Sequence, residues 1–327
     1  VHRVLQAAGR NLRESGVRDA RVLLAVSGGG DSMALLEAAA LLAPGLGLQL
    51  HVAHVDHATR AGSAAEQATV AEAARLRGAS FEGMRIDPSD CSEDAMRRAR
   101  HEALATMADR ANCRWILLGH SADDQVETIL FRFLRGAGLG GLAGMRLVRG
   151  RLVRPLLDCR RAELRAFLRA RGVVWMEDPD NLSPRYARTR LRAGVLPALE
   201  AAFGRGALDH LLDQAPRWRA DEDYLEEQAA RLLAYATRPG ALPGAAALDA
   251  AALVEAHAAL RARALRSWLR HGTGHTPSAR ELAALEHWLQ GLGEGGVDVA
   301  GGRVRRDGGR LVLVARDSFV AARESPC

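Results

Sequence analysis

The chain contains no lysine, and all 45 of its Lys and Arg residues are arginine. The absence of lysine excludes a Schiff base on the protein, a lysine nucleophile and the Walker type of phosphate loop, which needs a lysine before its Ser or Thr. Any amine that takes part in the chemistry must therefore arrive with a substrate.

Cysteine is scarce, and no two cysteines form a Cys-x-x-Cys pair. The four cysteines are Cys91, Cys113, Cys159 and Cys327. This spacing disfavours a zinc ribbon, an iron–sulfur cluster and a redox-active pair, so buried or incidental thiols are the better interpretation.

Long apolar runs are also absent, because Arg, Glu or Pro interrupts each Ala/Leu stretch before it reaches the length of a membrane span. Residues 1–14 carry a charge every few residues, which predicts an amphipathic helix rather than a signal peptide. We therefore expect a cytoplasmic protein. The net charge of +6 permits a polyanionic partner, although a compositional bias towards arginine explains most of it.

Short apolar runs alternate with helical segments between residues 22 and 202. The expected strands are 22–26, 49–55, 80–86 and 115–119, and the expected helices are 32–42, 64–77, 93–111 and 123–135. This alternation predicts the α/β class, with a doubly wound parallel sheet whose ligands gather at the carboxyl ends of the strands.

The composition changes after residue 202, and we expect three regions. Residues 1–202 form a catalytic domain, 203–292 a smaller and mainly helical domain, and 293–327 a short extension of antiparallel strands with a tail. Within the first region, residues 136–144 are rich in glycine. This stretch is either a flexible connector or a loop that orders over a substrate.

A glycine-rich hexapeptide joins the first expected strand to the first expected helix of the sheet. It consists of Ser27, Gly28, Gly29, Gly30, Asp31 and Ser32. Glycine lets the backbone approach an anion closely, and the free N–H groups and dipole of the helix N-terminus favour negative charge. The hexapeptide predicts a phosphate site; the alternative is a plain turn that Asp31 and Ser32 cap.

Two polar clusters follow neighbouring strands. His54 and His57 have a spacing known for metal ligands, but without a third ligand a contact with the nucleotide is favoured. Asp124 and Glu127 lie three residues apart at the start of a helix, so they share a face and can together meet Mg²⁺ or an ammonium group. A capping arrangement without a ligand is the alternative for these carboxylates. His120 lies beside them.

These motifs resemble those of known families. The hexapeptide is the signature of the N-type ATP pyrophosphatases, or PP-loop family. The longer pattern is similar to that of the tRNA(Ile)-lysidine synthase family over nearly the whole chain. It includes Gly119-His-x-x-Asp-Asp-Gln-x-Glu-Thr128, Arg154-Pro-Leu-Leu157, Arg161-x-Glu-Leu164 and Tyr186-x-Arg-x-Arg-x-Arg192. His101 departs from the pattern, because the family usually has an aromatic residue there.

The resemblance implies an adenine nucleotide alpha hydrolase-like fold and a ligase that acts on cytidine 34 of tRNA(Ile) with the anticodon CAU. ATP, with Mg²⁺, adenylates the C2 oxygen and releases pyrophosphate. The ε-amine of free L-lysine then displaces AMP, which gives lysidine and changes codon reading from AUG to AUA. The implied partners are tRNA(Ile), L-lysine and ATP, and a homodimer is left open.

The resemblance also implies roles for particular residues. The implied catalytic residues are Asp31, His120, Asp124 and Glu127. Residues 27–32 with His54 and His57 would bind ATP, and Asp31 would also hold Mg²⁺. Asp124 and Glu127 would hold the lysine ammonium group. His120 either accepts the proton of the attacking amine or is a structural histidine.

Arginines at three- and four-residue spacings are candidates for contacts with tRNA phosphates, because the guanidinium fork matches phosphate oxygens. They are Arg97, Arg100, Arg132, Arg135, Arg185, Arg188, Arg190 and Arg192. For any single one of them, a solvated basic face is the alternative.

Three other functions remain open at this point. A tRNA thiolase would need a persulfide cysteine or an iron–sulfur cluster, which the scattered cysteines disfavour. An NAD or GMP synthetase would use ammonia and would need no arginine-rich RNA face. A nucleotide-binding sensor without turnover would not require a paired carboxylate beside the loop.

Overall fold

The computed structural model describes residues 2–56, 63–86, 93–177, 187–204, 206–239, 246–292 and 295–315. The chain divides into two compact units, Val1–Arg219 and Ala220–Cys327. No described helix is both long enough and apolar enough to cross a membrane.

The first unit contains a six-stranded sheet and the helices around it. The strands are β1 (Arg21–Ala25), β2 (Gln49–Asp56), β3 (Ser80–Arg85), β4 (Trp115–Leu118), β5 (Val148–Arg149) and β6 (Leu152–Val153). The helices are α1 (His2–Glu14), α2 (Gly30–Leu46), α3 (Ser63–Leu76), α4 (Glu93–Arg110), α5 (Ala122–Leu134), α6 (Leu139–Leu142), α7 (Arg161–Ala170), α8 (Ala187–Arg190) and α9 (Leu196–Phe203). A π-helical turn, Leu191–Val195, separates α8 from α9.

The strand order is β3-β2-β1-β4-β6-β5, and every pairing is parallel except that of β5 with β6. Both faces of the sheet are covered. Val22 and Leu24 of β1 pack into a core shared with α1, α2 and α7, whereas Leu23 between them packs against α4. Successive side chains of a strand point to opposite faces, so a short apolar run in β1 is buried on both sides.

The predicted α/β class and parallel sheet are confirmed. The first four strands begin and end within one residue of the predicted bounds. Helix α2 is longer than predicted, because it continues past Pro44 to Leu46. It ends at Gly47, whose φ of 62° lies in the left-handed region that glycine adopts without strain.

The second unit joins helices to an antiparallel sheet of order β7-β8-β11-β10-β9. Its elements are β7 (Thr237–Pro239), β8 (Ala246–Asp249), α11 (Ala250–Glu255), α12 (Ala258–Thr273), α13 (Ala279–His287), β9 (Val297–Val299), β10 (Gly302–Asp307) and β11 (Arg310–Ala315). The helix α10 (Ala207–Ala236) contains the point at which the chain divides into units.

The structure divides the chain at different places from those predicted. Leu208, near the start of α10, packs with Val126 of α5 and Leu196 of α9, so the first unit extends to residue 219 rather than 202. The predicted separation at 292/293 is absent from the described part of the second unit. There β8 pairs with β11, and Leu248 and Leu311 share one core with the helices.

Candidate active site

The glycine-rich hexapeptide forms the turn between β1 and α2. Gly28 has a φ of +91°, and a Cβ at this position would lie 1.9 Å from Met176 Cε. Met176 N donates a hydrogen bond to Gly28 O at 3.0 Å. Glycine is therefore required at position 28 both by backbone conformation and by the close approach of the segment around Met176.

The N-terminus of α2 has no side-chain cap, since the N-cap residue is Gly29. Ser32 stabilises the conformation of the loop. Its Oγ accepts a hydrogen bond from Ser27 N at 3.2 Å and donates one to Gly29 O at 2.8 Å. Asp31 lies in the first turn of the helix. An uncapped helix N-terminus after a glycine turn is the arrangement that suits a phosphate group.

Gly119 connects this loop to the neighbouring strand. A Cβ on Gly119 would lie 2.9 Å from Asp31 O and 3.1 Å from Ser32 Cα, both backbone atoms of the loop. Only glycine permits β4 to end this close to the loop. The close approach places the start of α5, and with it the acidic pair, beside the phosphate loop.

Arg161 joins the three predicted acidic residues. Its Nε donates to Asp31 Oδ2 at 3.0 Å and its Nη1 to Glu127 Oε1 at 2.9 Å, while its Nη2 contacts Asp124 Oδ1. Its backbone N also donates to Asp123 Oδ2 at 2.7 Å. One guanidinium at the start of α7 thus holds together side chains from α2 and α5.

Arg192 makes the second cationic contact with this group. Its Nε and Nη2 donate to the two carboxylate oxygens of Glu127 at 2.7 and 2.9 Å. The Glu127 side chain is 5% exposed, whereas those of Arg161 and Arg192 are 19% and 35% exposed. We call Asp31, Asp124 and Glu127 the acidic cluster. The sequence predicted an open socket for a substrate amine, whereas the structure fills it with two arginines of the chain.

Asp124 also caps the helix on which it lies. Its Oδ2 accepts hydrogen bonds from Ser121 N at 2.8 Å and Ser121 Oγ at 3.0 Å, and its own N–H donates to Ser121 Oγ at 3.4 Å. This is a capping box. Capping occupies Oδ2 and leaves Oδ1 for Arg161, so the capping and cation-binding interpretations are compatible.

The pKa of Asp31 is raised above its ordinary value. Burial is the main cause, and the charges of Asp124 and Asp123 add to it, while Arg161 acts in the opposite direction. The three carboxylates in turn raise the pKa of Arg161, so this arginine stays charged. Burial and the neighbouring carboxylates therefore disfavour the charged form of Asp31, and Arg161 opposes this effect.

His120 lies in a basic environment rather than an acidic one. Burial lowers its pKa well below the ordinary value, and the charges of Arg154, Arg100 and Arg97 lower it further. Its Nδ1 is buried without a hydrogen-bond partner in the described structure. This environment disfavours protonation of the ring, and both predicted roles of His120, proton acceptor and structural histidine, stay predictions.

His54 is buried, and its Nδ1 lies 2.9 Å from Val26 O at the end of β1. A carbonyl only accepts, so Nδ1 carries the hydrogen, and the ring supports the base of the phosphate loop. His57 lies outside the described residues. Among the residues that are described, no three His, Cys, Asp or Glu side chains form a group that could hold a metal ion.

The arginines predicted to contact RNA lie in several surroundings. Arg132 Nη1 donates to Gly144 O at 2.9 Å, which ties the glycine-rich stretch to α5. Arg135 and Arg188 both stack on Phe131, with their Cζ atoms 4.6 and 5.5 Å from the ring centroid. Burial lowers the pKa values of Arg100 and Arg132, and like-charged neighbours lower them further. Arg190 is exposed, Arg97 is partly buried, and Arg185 lies outside the described residues.

The sequence did not predict Arg161 and Arg154 as residues of the site. Both belong to motifs that carry the family resemblance, Arg161-x-Glu-Leu164 and Arg154-Pro-Leu-Leu157. The available signal was their position after β6, since the strands of this sheet end beside the phosphate loop.

Comparison with known proteins agrees with this geometry. Residues 2–199 match the PP-loop domain family, and residues 248–312 match the TilS substrate binding domain family. The tRNA(Ile)-lysidine synthase of Salinispora tropica is 41% identical over 306 residues, which cover 90% of each chain. That of Salinispora arenicola is 39% identical over 96% of this chain and 95% of its own. The chain belongs to the tRNA(Ile)-lysidine synthase family.

Members of the tRNA(Ile)-lysidine synthase family differ in length. The protein of Thermus thermophilus is 40% identical over 90% of this chain, but the match covers only 56% of that relative. Among solved structures, the U34-tRNA thiolase NcsA from Methanococcus maripaludis, with its [4Fe-4S] cluster, superposes with a TM-score of 0.54 at 13% identity. This match covers 66% of this chain and 80% of that chain, and it supports the fold alone.

As a member of this ligase family, the chain uses the PP-loop domain for ATP. Two of the four cysteines, Cys113 and Cys159, lie in the described part of the chain, and both are free and buried. Burial raises the pKa of each thiol, that of Cys159 to about 12, so neither forms a reactive thiolate. Cys91 and Cys327 lie outside the described residues.

Proposed function

We propose that this protein ligates free L-lysine to C2 of cytidine 34 in tRNA(Ile) with the anticodon CAU. The C2 oxygen attacks the α-phosphorus of ATP, and pyrophosphate leaves. The ε-amine of lysine then attacks C2, loses a proton, and AMP departs with the former C2 oxygen. The product, lysidine, changes codon reading from AUG to AUA.

The observation that carries the proposal is the contact between the phosphate loop and the acidic cluster. Gly119 brings the end of β4 against the backbone of Asp31. Arg161 then bridges Asp31 to Asp124 and Glu127. The α-phosphate of ATP and the amine of lysine must both react at one cytidine. An anion site next to a cation site would meet that requirement.

The phosphate side would act by electrostatics. The N–H groups at the start of α2 would face the pyrophosphate as its charge develops, because preorganised donors of this kind stabilise a leaving anion. Asp31 would hold Mg²⁺, because one carboxylate together with phosphate oxygens is an ordinary magnesium donor set. When bound, Mg²⁺ would supply further neutralisation of the phosphate charge.

The acidic cluster would bind the lysine ammonium group in exchange for an arginine side chain. In the described structure, Arg192 is the more exposed of the two arginines and is bidentate on Glu127. Arg161 is anchored more deeply and through its backbone. The ammonium group would therefore take the place of Arg192 on Glu127 while Arg161 stays.

RNA binding would use the exposed arginines around α5 and α8. Arg135 and Arg188 flank Phe131, and Arg190 is exposed nearby in sequence. Guanidinium groups suit the phosphates of the anticodon loop, so we expect binding to weaken steeply with added salt.

The decisive experiment varies the wobble base. Purified protein with ATP, Mg²⁺ and labelled lysine should transfer label to a CAU-anticodon tRNA(Ile) transcript. The matched substrate replaces cytidine 34 by uridine and should receive no label. Equal incorporation into both transcripts would contradict the proposed function.

A further inference from the structure

A serine, a histidine and a glutamate lie together near the amino edge of the sheet in the first unit, opposite the edge that carries the phosphate loop. Ser80 is the first residue of β3, His51 of β2 is its partner in the register, and Glu82 lies two residues further along β3. Residues that pair across strands, and residues two apart within a strand, share one face of a sheet. The three side chains therefore project from the same face.

The contacts join these side chains in a row. Ser80 Oγ lies 2.7 Å from His51 Nδ1, and His51 Nε2 lies 3.5 Å from Glu82 Oε2. The second contact is electrostatic, since Nε2 has no hydrogen-bond partner in the described structure. The negative oxygen favours the hydrogen on Nε2, because the lone pair of a bare nitrogen would face the carboxylate. Nδ1 is then the acceptor, and the Ser80 hydroxyl donates to it.

His51 is suited to accept a proton from the serine. The residue is 7% exposed, and burial lowers its pKa below the ordinary value, while Glu82 acts in the opposite direction. The ring is therefore neutral at neutral pH, and Nδ1 is free to take a proton. A hydroxyl that donates to a neutral imidazole, which a carboxylate orients in turn, is the arrangement that activates a serine as a nucleophile.

The serine opens onto a cavity of about 590 Å³. Ser80 is exposed and forms part of the cavity wall. The apolar part of the wall includes Ala43, Pro44 and Leu48, and the polar part includes Arg21. A cavity with an apolar wall and a few polar groups suits a small organic ligand.

Arg21 brings a positive charge to the same face of the sheet. It pairs with Gln49, which lies two residues before His51 in β2, so its side chain projects from the face that carries Ser80. Its charge is one of those that lower the pKa of His51. A guanidinium group in this place can stabilise the negative oxygen that develops when a carbonyl is attacked.

We propose that Ser80, His51 and Glu82 form a second catalytic site, separate from the phosphate loop, which hydrolyses short-chain carboxylic esters. Ser80 Oγ attacks the ester carbonyl while His51 Nδ1 takes the hydroxyl proton. The bond from the carbonyl carbon to the alcohol oxygen then breaks, and Nδ1 passes the proton to the departing alkoxide, which leaves as the free alcohol. Arg21 stabilises the negative carbonyl oxygen in this step, and Glu82 stabilises the protonated ring.

Water completes the cycle. It gives one proton to His51 Nδ1 and attacks the acyl carbon, so that the bond from this carbon to Ser80 Oγ breaks. The proton on Nδ1 returns to Ser80 Oγ, and the carboxylic acid is released. The short apolar wall of the cavity would take the acyl chain, which limits the substrate to short chains.

The test measures hydrolysis of p-nitrophenyl butyrate by the full chain. We expect kcat/KM of the wild type to exceed that of Ser80→Ala by at least about 100-fold, and that of Glu82→Gln by about 10- to 100-fold. Circular dichroism checks that each variant is folded. In a second measurement, a fluorophosphonate should form a covalent bond to Ser80 Oγ with loss of fluoride, and peptide mass spectrometry locates the adduct.

The matched control is Ser267→Ala, which removes the serine from another serine–histidine contact. Ser267 Oγ lies 3.5 Å from His271 Nδ1 on α12. This variant should hydrolyse the ester as fast as the wild type. Equal hydrolysis by the wild type and Ser80→Ala would overturn the assignment, and so would a fluorophosphonate adduct on other residues but not on Ser80.

Discussion

The acidic cluster and a basic cluster, which consists of Arg100, Arg154 and His120, both belong to the carboxyl edge of the sheet, yet they differ in how their charges are balanced. The acidic cluster is paired internally, because Arg161 contacts all three of its carboxylates and Arg192 contacts Glu127. The basic cluster has no carboxylate against Arg100 or Arg154 in the described residues. A ligand must displace an arginine in order to bind the acidic cluster, whereas it can bind the basic cluster without displacing a charged group.

This difference bears on how the enzyme avoids unproductive chemistry. The acidic cluster is already paired with arginines. Its affinity for an incoming ammonium group is therefore reduced by the free energy needed to displace an arginine. In the basic cluster, burial and neighbouring positive charges disfavour the charged forms of Arg100 and His120. The four predictions below test whether the two clusters behave in these different ways.

The largest effect is expected from Asp124→Asn. The substitution keeps a cap for α5 but removes the negative charge that faces Arg161 and the incoming amine. Lysine transfer should fall by about 10²- to 10³-fold. Adenylation of tRNA, followed by pyrophosphate release without lysine, should stay within about tenfold of the wild type. Unchanged lysine transfer would remove the ammonium-site assignment.

A smaller loss is expected from Arg161→Met, because three carboxylates would then lie close together with less positive charge among them. Lysine transfer and adenylation should both fall by about 10- to 100-fold, since Arg161 contacts Asp31 of the loop as well as Glu127. Arg161→Lys should restore part of the activity. Arg165→Met, on the exposed side of the same helix, is the control. Loss of only one of the two steps would show that Arg161 does not couple Asp31 of the phosphate loop to Asp124 and Glu127.

The clusters should also differ in stability. Glu127→Gln breaks a buried bidentate pair with Arg192, so the free energy of unfolding should fall by about 2–3 kcal/mol. Arg100→Met relieves repulsion with Arg97 and Arg188, so the free energy of unfolding should stay equal or rise. Urea unfolding measures both. A similar loss of unfolding free energy in both variants would contradict the claim that the acidic cluster is paired and the basic cluster is not.

The smallest effect is expected in the pH dependence of stability. His101 has a pKa of about 4 in the folded chain, below its ordinary value, so the unfolded chain binds its proton first as pH falls. Stability is therefore lost as pH drops from about 6.5 towards 4. In His101→Phe this slope should be shallower by up to about 1 kcal/mol per pH unit. An unchanged slope would place His101 outside the field of the basic cluster.

Much of the fold follows from local sequence patterns. Apolar runs such as that of β1 are buried on both faces, and the turn at Gly47 ends α2 where glycine is available. The strand pairings of the second unit were only partly predicted. The short strands β7 and β8 lie in a segment whose composition favours helix. They pair with each other, and β8 also pairs with β11, which is distant in sequence.

The sequence predicted the phosphate loop and the acidic residues of the candidate site, but not the arginines that pair with those acidic residues. The hexapeptide 27–32 and the pair Asp124 and Glu127 are contiguous motifs whose chemistry is local. Arg161 lies 130 residues from Asp31 and 34 from Glu127 along the chain. Its motif and its position after β6 place it near the loop, but its contacts with the carboxylates arise only when three elements meet.

The most direct test of the account is a crystal structure of the protein with lysine and a non-hydrolysable ATP analogue. We expect the lysine Nζ within hydrogen-bond distance of Asp124 and Glu127, Arg192 displaced from Glu127, and the triphosphate against residues 27–32. Lysine bound elsewhere, with Arg161 and Arg192 both still on the carboxylates, would contradict the central claim that the acidic cluster is the amine site.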